Sequence, residues 1–258
     1  HLITDFPTKG SFPLIEGKTV KRFEIQPIRK HILWDIKQIH RTRPDYLWKA
    51  PKKILIQRIS GGSQPLTACL DIQKNKTFAS VNNLLLKQEY ENYYEFFLGL
   101  LNSRILNWYY ATNFSNNSEL TVNISKTFLE KLPIANSSLT QRSNIKELVN
   151  YIQFLKKLND PINEFVPNSH ISQLFEEVID ALVYELYFEE DFKKSNIAFM
   201  KYAERDFRSI EGKSEKETIK IIHAAYQKLR EKDNEIRQNL KLMDTRLTDL
   251  IMPIKTAK

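Results

Sequence analysis

Positive charge set into apolar sequence is the chemistry this chain offers first. In Ile54-Leu55-Ile56-Gln57-Arg58-Ile59-Ser60-Gly61-Gly62, one arginine sits in a β-favouring run bounded by Pro51 and a Gly-Gly pair. A guanidinium held there has two uses. It can close an internal salt bridge, with Asp71 or Asp45 as partner, or its planar fork can meet a phosphate or a guanine edge. Lys18, Lys21 and Arg22 lie upstream of it, and Arg41, Arg43, Lys49, Lys52 and Lys53 fall in a basic stretch, residues 27–53, that also carries Trp34, Tyr46 and Trp48. Basic and aromatic residues interleaved in this way suit phosphate contact and base contact together. The same aromatics are also what a core would use as anchors, and for any one of them taken singly the core use is preferred.

Groups for covalent or metal chemistry are scarce by comparison. Cys69 is the one cysteine, so no internal disulfide can form, and a lone thiol in a β-favouring run reads as a small core residue of a protein from a reducing cytoplasm. Five scattered histidines give no pair at metal-ligand spacing. Glu16-Gly17-Lys18 fits the tail of an Asp…Glu-x-Lys nuclease site, but a glycine-centred turn holds two metal ligands poorly. A methyltransferase would need a glycine-rich cofactor turn and an Asn-Pro-Pro-aromatic motif, and the chain has no Pro-Pro; P-loop, kinase and hydrolase patterns are missing too. No catalytic, cofactor-binding or metal-ligating residue is assigned, and the chain is expected to bind and not to catalyse.

Charge distribution points to what it binds. The net charge is +8, and residues 1–135 hold 19 Lys and Arg against 11 Asp and Glu, whereas residues 136–258 hold 20 of each. All of the excess therefore lies in the first half, as expected of a module that meets a polyanion. No apolar run approaches the ~18 residues of a membrane span and no basic amphipathic helix accompanies the charge, so nucleic acid is favoured over a membrane surface. A start at His1-Leu2-Ile3, without Met or signal-peptide shape, suggests a piece of a longer protein.

The elements that must position these residues are of two kinds. Ile54–Ile59 and Leu66–Asp71 read as a strand that turns at Gly61-Gly62 and returns. Leu14-Ile15-Glu16-Gly17-Lys18 reads as strand and glycine turn, and Thr77–Val81 as a further strand. From Tyr90 to Tyr109 the period becomes three and four, a helix nicked near Asn102-Ser103 whose aromatics are core. Beyond residue 139 everything reads as helix, ending in a heptad seam from Ile219 through Ile222, Tyr226, Leu229, Asp233, Ile236, Leu240, Met243 and Leu247 to Leu250. The expected fold is α+β: a mixed sheet with packed helices over residues 1–135, then an all-α bundle or coiled-coil-like spacer over 136–258, with a helix-mediated dimer left open.

Five segments in order carry a family resemblance: Leu14–Phe23, Lys53–Gly61, Ser80–Leu84, Phe97–Asn107 and Leu129–Ile134. Together they resemble the TaqI-like C-terminal specificity domain, the target-recognition part of adenine-N6 DNA methyltransferases and of single-chain type IIG and related restriction-modification enzymes. The resemblance implies a duplex-DNA-reading module whose intact parent would carry an N-terminal methyltransferase domain using S-adenosylmethionine, with or without a nuclease domain using Mg2+, neither within these residues. It supports Gly17 as an entry turn, Arg58 as the strand arginine and Asn102-Ser103 as a helix break. With DNA as partner, Lys18, Lys21, Arg22, Arg41, Arg43, Lys49, Lys52, Lys53 and Arg58 become the candidate contacts, Arg41 and Arg43 being the best placed to read bases. The rival reading is a helical protein-interaction scaffold whose basic face takes an acidic partner or RNA.

Overall fold

The computed structural model describes residues 2–35, 37–39, 43–61, 64–114 and 122–257. In chain order the strands are β1 (Ile3–Thr4), β2 (Ser11–Ile15), β3 (Val20–Lys21), β4 (Glu24–Ile25), β5 (Lys30–Leu33), β6 (Lys53–Gln57), β7 (Ile59–Ser60), β8 (Ala68–Asp71), β9 (Lys76–Thr77), β10 (Val81–Leu84) and β11 (Val122–Asn123). The helices are α1 (Asp45–Lys49), α2 (Tyr94–Asn102), α3 (Arg104–Phe114), α4 (Lys126–Leu129), α5 (Leu139–Lys157), α6 (Asn168–Tyr187), α7 (Glu189–Lys194), α8 (Met200–Asp206), α9 (Glu215–Arg230), α10 (Glu235–Arg246) and α11 (Thr248–Thr256). The fold is α+β. Contacts divide the chain into a sheet unit, His1–Tyr94 with Tyr110–Leu132, and a helical unit, Glu95–Tyr109 with Pro133–Lys258.

In the sheet unit β6 is the middle strand of an antiparallel trio, β10-β6-β8. Ile54, Leu55 and Ile56 are all buried, which is why the run is continuously apolar and does not alternate. Leu55 lies opposite Cys69, so the strand-turn-strand expectation holds and Cys69 is a core residue. Ile15, Val20, Leu55, Cys69 and Val81 form one apolar cluster, with Ile25 and Ile28 against it. A second sheet, β1-β5-β2-β9, is antiparallel except where β2 runs parallel to β9.

The helical unit is built on α5 and α6. Ser138 and Gln141 close a capping box at the start of α5, and Leu148, Val149, Ile152 and Leu155 supply its buried face. Tyr151 meets Phe175 of α6 edge-on, ring centres 5.4 Å apart. Helix α2 belongs to this unit beyond its first residue and approaches α5 closely at Gly99: a Cβ there would lie 2.6 Å from Ile145 Cγ2 and 3.2 Å from Val149 Cγ2. Gly99→Ala would add about 1 kcal/mol of helix propensity, but stiff β-branched neighbours make overpacking cost about 1–3 kcal/mol. A net loss of about 1 kcal/mol in chemical denaturation is expected, and a gain in stability would contradict this packing.

The heptad seam is not continuous, which corrects the expectation of a long coiled-coil-like helix. Helix α9 ends at Arg230, and α10 starts after Asn234, whose side chain accepts the Arg237 N–H at 3.0 Å while its amide donates to Asp206 at 2.8 Å. Asp233, read as a seam residue, is exposed in the intervening turn. An asparagine that is 1% exposed and satisfied on both ends of its amide stops the helix more firmly than periodicity extends it.

At the start of α10, the Glu235 carboxylate accepts from both terminal guanidinium nitrogens of Arg205, at 3.0 and 2.7 Å. Those hydrogen bonds are the main reason its carboxyl is held at about 2, below the ordinary 4.5. A carboxylate with a depressed folded pKa stabilises above the ordinary value and loses that contribution as pH falls toward the depressed one. Acid titration of the unfolding midpoint should therefore show a decline between about pH 4.5 and 2 that is shallower in Glu235→Gln; identical profiles would rule out this contribution. Among the described residues no helix is long and apolar enough to cross a membrane.

Candidate nucleic-acid interface

Arg58 sits where β6 stops and β7 begins. Its N–H donates to the Ser80 carbonyl at 2.9 Å, and its carbonyl accepts the Ile124 N–H at 2.7 Å, so both sides of the bend are fixed. The side chain is exposed, and one guanidinium N–H reaches the Ala79 carbonyl only at 3.5 Å. The internal salt bridge is not made: Asp71 pairs with Lys53 at 3.3 Å and Asp45 with Lys49 at 3.6 Å. A rigid backbone carrying a solvent-facing guanidinium is what a positioned contact requires.

The strand expected over Thr77–Val81 is broken between β9 and β10 by the turn Phe78-Ala79-Ser80 beside Arg58, which is equally fixed. Phe78 N–H donates to the Ile15 carbonyl at 2.8 Å, and Gly17 N–H donates to Ser80 Oγ at 2.9 Å. A Cβ at Gly17 would lie 2.9 Å from the Ser80 carbonyl oxygen, so the approach of the two loops requires glycine at that entry turn. Exposed Lys18 follows directly and pairs with Glu16 at 3.2 Å. Phe78 is 43% exposed and Ile59, just after Arg58, 56%; sequence reasoning singled out neither as part of a surface.

Arg43 lies at the same turn. It lines a cleft of about 300 Å3 together with Trp34, Trp48, Phe78 and Ala79. Burial first, and the charge of Arg58 second, pull the Arg43 guanidinium below its ordinary pKa; it remains a cation at neutral pH. Among the described residues neither Arg43 nor Arg58 forms an ion pair with a carboxylate. Arg41 lies outside the described residues.

The other candidates are dispersed. Lys21 and Arg22 sit on the β3–β4 hairpin, whose turn forces buried Phe23 to a φ of 65° and ties its N–H to the Ala68 carbonyl at 2.9 Å. Exposed Lys21 faces Glu24 across the hairpin, and Arg22 donates to Gln64 Oε1 at 2.8 Å. Half-buried Lys52 lies over the Tyr94 ring at 5.6 Å. Lys53 has to be withdrawn from the surface set. It is 0% exposed, donates to the Asn75 and Leu47 carbonyls at 2.8 and 3.2 Å, and is committed to Asp71, so no phosphate can reach it.

The aromatics of the basic stretch divide as well. Trp34 and Trp48 meet edge-on at 5.1 Å and hold the Lys76 ammonium at 4.5 and 5.1 Å, with Phe12 at 5.0 Å. Their cation partners are thus the chain's own Lys76, 8% exposed, and at Trp48 also buried Lys53 at 5.2 Å, a structural use that leaves, of these three aromatics, only Tyr46, 62% exposed, free to stack on a ligand. No group of His, Cys, Asp and Glu able to hold a metal occurs among the described residues.

Fold and surface together define the class: an α+β module whose sheet unit fixes solvent-facing cations at strand bends and tight turns. Within it, residues 12–134 match the TaqI-like C-terminal specificity domain family, just under half of the chain. All five segments that carry the resemblance fall inside that span, and the resemblance is thereby shown over residues 12–134. A protein of Methanocaldococcus jannaschii named "Putative type II restriction enzyme and methyltransferase RM.MjaORFECS2P" is 26% identical over 186 residues, 72% of this chain. This chain spans only 15% of that relative's length.

Proposed function

We propose that this chain reads duplex DNA by sequence as the specificity part of a restriction-modification enzyme whose catalytic domains lie outside these residues. The family match over residues 12–134 carries the reading, and Arg58 on its pinned bend with Arg43 in the neighbouring cleft, neither paired with a carboxylate among the described residues, gives it a surface. In the parent, an adenine-N6 methyltransferase domain would bind S-adenosylmethionine and modify a base turned out of the duplex, with Mg2+ needed only where a nuclease domain accompanies it. Cytoplasmic residence follows from that role. Lys18, Lys21, Arg22, Lys49 and Lys52, dispersed over the sheet unit, serve as further phosphate contacts.

The test is salt-dependent binding of the chain to a pool of random-sequence duplex DNA, with sequencing of the bound fraction. Enrichment of one short motif is expected and would give the recognised site. A steep salt slope without enrichment would reduce the chain to a general polyanion binder, and absence of binding at low salt would favour a protein-interaction scaffold.

A further inference from the structure

The Phe78-Ala79 turn brings together two guanidiniums that have no carboxylate partner among the described residues. Arg58 reaches Ala79 from a bend pinned on both sides, and Arg43 lines the cleft walled by Phe78 and Ala79. Like charges placed together destabilise a fold unless something negative sits between them. Here their closeness is felt: the charge of Arg58 is one of the causes that depress Arg43.

Resting on the DNA-reading function proposed above, we infer that Arg43 and Arg58 jointly hold a single backbone phosphodiester at the Phe78-Ala79 turn, and that neither reads a base. A guanine edge offers two acceptors and no net charge, which one guanidinium fork satisfies, leaving the second arginine unmatched. A phosphodiester offers two non-bridging oxygens with lone pairs for both forks and the negative charge that relieves their repulsion. Exposed Phe78 and Ile59 flank the pair, apolar surfaces suited to the sugar edge beside that phosphate. Base reading is then left to other parts of the surface.

The experiment is a double-mutant cycle in the 258-residue chain, with Arg43→Gln, Arg58→Gln and the double variant. Affinity is measured by fluorescence anisotropy across a salt series, on random-sequence duplex and on duplex enriched by selection. Each single substitution should weaken both duplexes alike by about ten-fold and reduce the salt slope by about 1. The double variant should fall well short of the hundred-fold loss that two independent contacts would give. Arg58→Lys, which keeps a point charge but not the fork, should lose less affinity than Arg58→Gln and lose it equally on both duplexes.

Effects that multiply, or a substitution that weakens the enriched duplex while sparing the random pool, would overturn the shared phosphate and leave DNA reading intact. Absence of duplex binding by the unsubstituted chain would overturn both. Inorganic phosphate supplies a further arm, read as a change in the arginine side-chain NMR signals. Saturation at a few millimolar, undisturbed by duplex, would assign the pair to a free anion and overturn the backbone phosphate; displacement of phosphate by duplex supports it.

Discussion

Replacing Asp71 by alanine is expected to destabilise the sheet unit by about 3–5 kcal/mol, the cost of stranding one partner of a buried ion pair. Both side chains of the Lys53–Asp71 pair are fully inaccessible. The carboxylate also organises the loop that follows β8: it accepts the Gln73 N–H at 2.9 Å, the Asn75 N–H at 3.0 Å and the Asn75 side-chain amide at 2.9 Å. Lys53→Met should cost less, about 1–3 kcal/mol, because the stranded carboxylate keeps those three donors. Losses in Lys53→Met/Asp71→Ala should sum to less than the two single values in urea titrations; simple additivity would mean that the pair is not coupled.

Burial lowers the Lys53 pKa despite the opposing attraction of Asp71. The unfolded chain therefore holds the proton more tightly in the window between the depressed value and the ordinary 10.5, and stability gains from Lys53 as pH rises through that window. The difference in stability between the parent chain and Lys53→Met should widen in that direction. A difference that narrows would contradict the assigned sign.

The second large effect is expected at Asp180 of α6. One of its oxygens accepts the Arg104 backbone N–H at 2.8 Å and the other the Arg104 Nε–H at 3.1 Å, so a carboxylate from a distant helix caps the start of α3. The break between α2 and α3 is otherwise satisfied locally, with Ser103 Oγ donating to the Leu100 carbonyl at 2.6 Å and the Asn107 amide to the Ser103 carbonyl at 2.8 Å. Asp180→Ala removes the cap and the ion pair together, for an expected loss of about 2–4 kcal/mol in thermal or chemical denaturation. Asp180→Asn, which can still accept the backbone N–H, should recover part of it. Equal losses in both variants would show that the ion pair alone matters.

The β6–β8 pairing, the core role of Cys69, the glycine at the entry turn and the nick at Asn102-Ser103 were all legible from residue types, because each rests on a local rule: period, turn chemistry or steric room. Which cation goes inward was not. Lys53 and Arg58 stand at opposite ends of the same apolar run, and only the register that sets Lys53 across from Asp71 decides between them. The core use preferred for Trp34 and Trp48 holds, but the cation they pack on, Lys76 of a strand that pairs with β2, has no local signature. At the end of the chain, Asn234-Glu235 is a readable helix start, but the step from Asp233 to Ile236 keeps the heptad spacing and hides it. The closeness of Arg43 and Arg58 depends on where the Phe78-Ala79 turn falls, a tertiary fact without a local signature.

The chain leaves the sheet unit after Tyr94, rejoins it at Tyr110 and leaves again after Leu132. No single cut can therefore separate the two units. Genetic exchange of residues 12–134 between relatives would carry along a helix whose groove, at Ile145 and Val149, is encoded outside the exchanged segment. If the chain reads DNA as proposed, new specificities acquired by such recombination should persist only where the recipient's α5 still accommodates the donor's α2, so inheritance of a recognition sequence is tied to packing within the helical unit.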